Sequence, residues 1–393
     1  MLTHHPISIL LTALFILFSS VACTTTQVVT SNSKPAIQSN EPTAVDELLD
    51  IGIRPFDPGI PNDLKEIEEQ LIIPDVRRAE ASYLAFQLKD TLELTGNWGA
   101  VRVTPETSNA VDLHVTGRIL ESDGELVRVE IRVSDATGEE WYRRTYEDVA
   151  SKFSYEKPIE DPFQDLYNDI ANGLLAERAR RSRDQLLNIK AVASLKFAAD
   201  LAPMAFGDYL GASSNGELTI SQLPASNDSM MTRVNRIKEQ EYLFVDTLDD
   251  YYSRFHREMR PSYDEWRHAT YDEAIRLREV ERQARNRLVA GALLIAGGIA
   301  AGSESDTWAG DAAAAGAVVG GIGAIREGLS RRKEAEIHAE SLRELSQSLG
   351  TEITPYVLDI EGRTIELVGT AEQQYTQWRK LLHDIYLEET RVE

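Results

Sequence analysis

Strict alternation of apolar and polar residues in two neighbouring stretches constrains the fold of this chain more than any other feature. In residues 111–119 and 127–133, apolar side chains recur at every second position, with Gly117 as the one gap. This period of two is typical of strands that have one buried face and one solvated face. Residues 122–125, Ser-Asp-Gly-Glu, form a turn signal between the stretches, so an antiparallel hairpin is predicted.

Amphipathic helices are predicted on both sides of these strands. The first covers residues 75–95, where Asp75 can cap the start and Gly96 can end the helix. The second covers residues 162–175. One face of the first helix carries Ala81, Leu84, Leu88 and Leu92. This apolar stripe is the natural cover for the buried face of the strands.

Two further strands, at residues 100–103 and 141–146, complete the order helix, four antiparallel strands, helix. That order predicts an α+β fold, a small two-layer helix/antiparallel-sheet sandwich at residues 46–180. Residues 43–75 contain several turn signals and prolines, and we expect them to wrap around this domain.

Three local patterns give this domain a resemblance to known bacterial envelope domains. They are the Val-x-Val strand at residues 101–103, the Asp-to-Gly strand at 112–117 and the segment 135–141. The combination resembles the amino-terminal domain of TolB, outer-membrane lipoprotein activators of penicillin-binding proteins and the curli secretion lipoprotein. The resemblance covers residues 75–178. It implies a non-enzymatic domain that docks onto envelope proteins or forms rings.

The single cysteine, Cys23, directly follows a short apolar segment. Residues 7–17 are too short for a typical membrane span, and small residues follow them, as in cleaved signal peptides. The sequence Ser-Val-Ala-Cys at 20–23 resembles the processing signal of bacterial lipoproteins, with Ser20 in place of the usual Leu. We therefore predict a signal peptide at residues 1–22 and lipid on the cysteine.

Cleavage before Cys23 would leave a lipidated flexible tether at residues 23–45. Thr24 stands where an inner-membrane retention signal would place Asp. The anchor is therefore predicted in the outer membrane of a Gram-negative bacterium, facing the periplasm. An ordinary signal peptide with a chance cysteine is the alternative, because His4 and His5 occupy positions where Lys or Arg is expected.

The formal net charge of −23 restricts the partners of the chain. Nucleic acid is disfavoured, because phosphate binding needs clustered Lys and Arg side chains. Electrostatic docking on anionic lipid headgroups is disfavoured by the same charge. One cysteine also excludes an internal disulfide and a cysteine-based zinc site.

Residues 181–287 are predicted to form a helical region. Two long charged helices, 228–259 and 263–288, are expected on either side of Pro261, after a polar loop at 211–226. Aromatic residues on these helices form either a docking surface or a helix-packing surface; they are Tyr251, Tyr252, Tyr263 and Trp266.

Residues 288–325 are predicted to form a glycine-rich helical hairpin. Its small residues recur at helical spacing, so two backbones can approach closely, as in the glycine-zipper hairpins of envelope lipoproteins that it resembles. The candidate helix-packing and oligomerisation residues are Gly291, Gly298, Gly302, Gly316 and Gly320. Two alternatives stay open, which are a hairpin packed in water or in an oligomer, and a hairpin inserted in a bilayer.

Residues 326–393 are predicted to contain a long helix at 327–349, a hairpin of strands at 356–360 and 364–368, and a last helix at 371–388. This region forms either a small domain or a clasp on the main body.

No catalytic, cofactor or metal-binding motif is present in the sequence. His114 is placed on the solvated face of a strand, and the other histidines have no spacing typical of metal ligands. The sequence therefore favours a non-enzymatic lipoprotein that acts as a binding, scaffold or assembly component with an envelope protein partner, and as a possible homo-oligomer. The alternative is an oligomeric membrane-inserting protein, and a third reading is an enzyme with an unrecognised site.

Overall fold

A mixed five-stranded sheet lies at the centre of the described part of the chain. The computed structural model describes residues 34–40, 44–69, 72–104, 110–156, 158–225, 227–301, 340–341, 343–344, 347, 356–360 and 363–391. The strands are β1 (Ile51–Ile53), β2 (Val101–Val103), β3 (Leu113–Ser122), β4 (Leu126–Asp135) and β5 (Glu140–Val149). Their spatial order is β2-β1-β3-β4-β5. The predicted α+β class is confirmed.

Strand β1 corrects the prediction that residues 43–75 only wrap the domain and that the sheet is antiparallel throughout. It pairs in parallel with both β2 and β3, while β3, β4 and β5 are antiparallel. All three residues of β1 are buried. A short strand that is buried on both faces shows no alternation, so its sequence carried no period-two signal.

The helices are α1 (Leu64–Glu69), α2 (Pro74–Thr95), α3 (Lys152–Glu156), α4 (Gln164–Arg178), α5 (Arg183–Leu201), α6 (Pro203–Phe206), α7 (Ser229–Ala301) and α8 (Ala371–Arg391). Short 3-10 turns cover Val45–Glu47 and Gly207–Tyr209. The hairpins β6 (Leu210–Ala212) with β7 (Leu218–Ile220), and β8 (Tyr356–Ile360) with β9 (Arg363–Leu367), complete the described elements.

The main core forms between the sheet and helices α2 and α4. The predicted stripe of α2 is buried, and the apolar positions of β4 are fully buried; these residues are Ala81, Leu84, Leu88, Leu92, Val127, Val129, Ile131 and Val133. Gly96 ends α2 with a φ of 66°, as predicted. Asp75 makes no cap, because the helix begins with Pro74 and the Asp75 carboxylate pairs with Arg78 at 2.6 Å.

A second core forms among α5, the first half of α7 and α8. Its largest members are Phe197, Leu201, Phe206, Phe244, Leu248, Tyr252, Tyr375, Trp378 and Leu382. The two strands and the last helix predicted at the C-terminal end are confirmed as β8, β9 and α8. The structure thus has two apolar centres, and α7 contributes to both.

Helix α7 corrects the predicted break at Pro261. It is continuous over 73 residues, with Pro261 inside it. A proline within a helix costs about 3 kcal/mol. Met259 and Tyr263, which flank the proline, are fully buried and offset this cost. The predicted loop at 211–226 also needs correction, because it contains strand β7 and part of β6.

Candidate functional site

Helix α7 is fastened to the rest of the protein by buried and half-buried charged groups, which we call the α7 interface. Its three main clusters centre on Arg267, Arg278 and Glu241. Each joins α7 to an element far away in the sequence, and each is described in turn below. None of these residues was predicted as a site from the sequence.

The Arg267 cluster lies in the main core and joins α7 to the loop before α4. The Arg267 side chain is fully buried, and its guanidinium donates two hydrogen bonds to Asp161, at 3.2 Å and 2.9 Å. Tyr83 of α2 donates a third hydrogen bond to this carboxylate at 3.0 Å. Asp264, one turn earlier in α7, also pairs with the guanidinium. Bidentate geometry of this kind fixes both orientation and distance.

Aromatic rings enclose the guanidinium of Arg267. Its central carbon lies 4.2 Å from the ring centroid of Tyr263 and 5.6 Å from those of Tyr83 and Phe163. The Tyr263 hydroxyl donates a hydrogen bond to Glu80 of α2. Glu80 also accepts from the Ser122 hydroxyl at the end of β3. The cluster therefore ties α7 to the helix layer and to the sheet at once.

The pKa shifts in this cluster keep each group in one protonation state at neutral pH. Burial alone would raise the pKa of Asp161, but the Arg267 guanidinium, together with hydrogen bonds from the Phe163 amide and the Tyr83 hydroxyl, holds the pKa below its ordinary value. Burial raises the pKa of Tyr83 and Tyr263 well above 10. At neutral pH this cluster contains an ion pair and neutral phenols, which suits holding helices together better than moving protons.

Arg278 fastens α7 to the turn between β3 and β4. Its guanidinium pairs with Glu121 near the end of β3 and with Asp123 and Glu125 of the turn. Gly124 lets the turn approach α7, because a Cβ at this position would lie 2.5 Å from the Arg267 carbonyl oxygen. Three like charges at this turn repel each other, and the arginine of α7 compensates them.

Glu241 joins α7 to α8 in the second core. Its carboxylate is fully buried and accepts hydrogen bonds from the Tyr375 hydroxyl at 2.9 Å and from the Trp378 indole at 3.0 Å. Arg379 lies 3.8 Å away. This cluster explains how the C-terminal helix is held on the body.

Two histidines are neutral in this structure. His256 of α7 stacks on Tyr83 at 4.4 Å and lies 3.1 Å from the Gln87 side-chain oxygen. Burial lowers the pKa of His256 to about 4, and it lowers the pKa of His114 to about 4 as well. The placement of His114 on a solvated face was wrong. Its Nε2 atom is buried and has no hydrogen-bond partner among the described residues.

The aromatic residues predicted as a docking or packing surface are mainly packing residues. Tyr252, Tyr263 and Trp266 are buried in the two cores, and Tyr251 is half-buried. Their spacing along α7 reflects the surfaces that the helix presents to the body.

The predicted oligomerisation glycines fall at the end of α7 and beyond it. Gly291 and Gly298 lie within the helix. Gly302, Gly316, Gly320 and the lipidation site Cys23 lie outside the described residues. The second arm of the predicted hairpin and most of the helix predicted at 327–349 lie outside them too.

Two features are absent from the described residues. No group of three or more His, Cys, Asp or Glu side chains there is placed to hold a metal ion. No helix there combines the length and the apolar character needed for a membrane span.

No protein-family model matches the chain, and no curated protein matches its sequence.

Proposed function

We propose that this chain is a non-enzymatic lipoprotein of the bacterial cell envelope, anchored through Cys23, whose body holds helix α7 as an arm for assembly with an envelope protein or with further copies. The proposed anchor lies in the outer membrane and faces the periplasm. The proposal follows the signal-like sequence before Cys23 and the domain resemblance of residues 75–178.

One observation carries the assembly role, which is the length of α7 beyond its last described contact with the sheet. Arg278 makes that contact. The helix continues from there to Ala301, which is about 35 Å at 1.5 Å per residue. Gly291 and Gly298 lie on this final part and face nearly the same direction, because seven residues are close to two helical turns. Helices meet closely at such small-residue positions.

The α7 interface explains why the arm can have a defined direction. The Arg267 and Arg278 clusters fix two points of α7 eleven residues apart, about 16 Å along the helix. A helix fixed at two points against a sheet cannot swing about one of them. An assembly element benefits from such rigidity, because less orientational freedom is lost on association.

The anchor is tested with the full precursor carrying Cys23→Ala, expressed in a Gram-negative host and fractionated. Loss of the lipid should move the protein from the membrane fraction to the soluble periplasmic fraction. Cys23→Ser gives a second variant with the same expectation. Retention of both variants in the membrane after alkaline washing would contradict a lipid-only anchor and would favour the alternative, insertion through the glycine-rich region.

The assembly role is tested by Gly298→Leu, with Gly297→Leu as a matched control. The two changes add the same side chain to neighbouring glycines, but Gly297 lies about 100° around the helix from the Gly291 and Gly298 face. We expect Gly298→Leu to abolish higher-order crosslinked species and Gly297→Leu to retain them. Equal behaviour of the two variants would refute a specific glycine face.

A further inference from the structure

Strand β5 is an edge of the main sheet, and its middle part is exposed. It pairs with β4 on one side and ends the order β2-β1-β3-β4-β5. The side chains of Arg143 and Glu147 are 50% and 59% exposed. Thr145 between them is exposed as well. An exposed edge strand of this length presents unpaired backbone groups to other chains.

The register of β4 and β5 shows which backbone groups point outwards. The Ala150 amide donates to the Glu125 carbonyl at 2.8 Å, and hydrogen-bonded pairs alternate along an antiparallel ladder. The even-numbered residues of β5 therefore bond to β4. The N–H and C=O groups of Arg143, Thr145 and Glu147 point away from β4.

Both ends of this outward stretch are limited by contacts within the chain. At one end, Arg181 stacks on Trp141 at 3.7 Å and pairs with Glu139. At the other end, the Val149 amide donates to the Asp148 carboxylate at 2.8 Å. The stretch open for pairing is thus centred on Thr145.

The charges of this stretch are self-complementary. When two copies of β5 run antiparallel about Thr145, Arg143 of each copy lies opposite the partner's Glu147. Edge strands that resist pairing commonly carry charged side chains, especially Lys, and like charges opposite one another repel a second copy. Here the opposing charges attract, and opposite charges directly across two strands stabilise their pairing.

We propose that β5 is a homodimer interface, in which two copies of this chain pair their β5 strands antiparallel about Thr145 and continue the sheet across a twofold axis. The facing pairs of the odd-numbered residues, Arg143 with Glu147 and Thr145 with Thr145, are then hydrogen-bonded pairs of the ladder, and the interface is isologous. It is separate from the glycine face of α7, so the chain has one contact for pairing and another for further assembly.

A cysteine crosslink tests the register. Thr145→Cys in the full chain should form a disulfide-linked dimer under mild oxidation, because facing Cα atoms of a hydrogen-bonded pair lie about 5.5 Å apart, within disulfide range. Arg143→Cys is the matched control. Its two cysteines would lie about 13 Å apart along the strands, and no dimer should form. The unsubstituted chain controls for Cys23.

Charge exchange tests the interface independently of any crosslink. Arg143→Glu and Glu147→Arg should each weaken self-association on the order of tenfold, because each places like charges opposite one another. An equimolar mixture of the two variants should restore dimers, since both facing pairs of the mixed dimer then have opposite charges. Arg118→Glu, on the same sheet face but on the interior strand β3, should have no effect.

The outcomes separate this interface from the others. Dimers that persist in Gly298→Leu but vanish in Arg143→Glu support the β5 interface. This holds whether or not the higher-order crosslinked species are lost. Equal crosslinking of Thr145→Cys and Arg143→Cys would overturn the proposed register. Crosslinking of Thr145→Cys only to a different protein would overturn the homodimer, because the edge would then accept a foreign strand.

Discussion

The Arg267 cluster and the Glu241 cluster use opposite ways to bury a charge. Arg267 in the main core faces a carboxylate in bidentate geometry, so both charges are compensated. Glu241 in the second core accepts hydrogen bonds from two neutral donors, Tyr375 and Trp378, and Arg379 lies 3.8 Å away. Burying an ion is expensive, and the means of compensation decides how much is lost when one partner is removed.

The difference predicts a different mechanical role for each of the two clusters. The Arg267 cluster joins α7 to three further elements, because Asp161 lies in the loop before α4, Tyr83 and Glu80 lie on α2, and Ser122 ends β3. The Glu241 cluster joins α7 to α8 through two neutral donors. Loss of the first should unfold the body as a whole, whereas loss of the second should release the C-terminal helix.

Replacement of Arg267 by Met should have the largest effect. It leaves the Asp161 carboxylate buried without its cation, and breaking one side of a buried pair costs about 3–5 kcal/mol. The free energy of unfolding from guanidinium titration measures this loss. Arg260→Met is the matched control, because Arg260 is 53% exposed and pairs with Asp264 at 3.7 Å, so its loss should cost about 0–1 kcal/mol.

A second replacement sharpens this result. Arg267→Met combined with Asp161→Leu removes both charges, so the double variant should recover much of the stability lost by Arg267→Met alone. Equal instability of the single and double variants would mean that packing around the arginine stem, rather than the ion pair, holds α7.

Replacement of Glu241 by Gln should have a smaller effect. The amide keeps one acceptor oxygen but turns a donor group towards either Tyr375 or Trp378, and one unsatisfied buried donor costs about 1–3 kcal/mol. We expect α8 to become accessible to protease before the sheet unfolds. Hydrogen exchange measured by mass spectrometry would show faster exchange in residues 371–391 and unchanged exchange in β4. Uniform acceleration in both regions would contradict two separate roles.

The sequence revealed the sheet and its helical cover but missed the residues that fasten α7. Alternation in β4 and the stripe of α2 are local patterns that burial imposes directly, and both were confirmed. Arg267 and Glu241 look like ordinary members of a charged helix. Their distinguishing signal is position, because each lies at helical spacing among buried aromatic or aliphatic residues of α7. Their partners lie more than 100 residues away, and no local pattern names them.

Two predictions from the sequence, at β1 and at Pro261, were wrong for related reasons. Strand β1 is too short to show a period, and its two parallel neighbours lie about 50 and 60 residues further along the chain. Pro261 is a local breaker whose effect is overridden by burial on both sides of it. Both show tertiary contacts deciding against a local rule.

His256 lies between the two regions, and its titration provides the smallest test of their separation. Its ring stacks on Tyr83 of the main core at 4.4 Å and lies 4.9 Å from Phe86 of the second core. Its pKa in the folded chain is about 4, below the ordinary value of 6.5. Between these values the unfolded chain binds the proton more readily, so the stability that His256 contributes is present above pH 6.5 and is lost as the pH falls towards 4.

The corresponding variant is His256→Gln, compared with the parent chain at pH 7 and pH 5. The parent should lose about 1–2 kcal/mol more than the variant over this interval, because each unit of pKa shift corresponds to about 1.4 kcal/mol. If His256 couples the two cores, α8 should become cleavable by protease at the same point as the sheet unfolds when the parent is at pH 5. In the variant at pH 5, cleavage of α8 should still precede unfolding of the sheet. If the stability of both chains changed equally with pH, the acid-sensitive contact would lie elsewhere. His114 would then be the next candidate, because its pKa is also about 4.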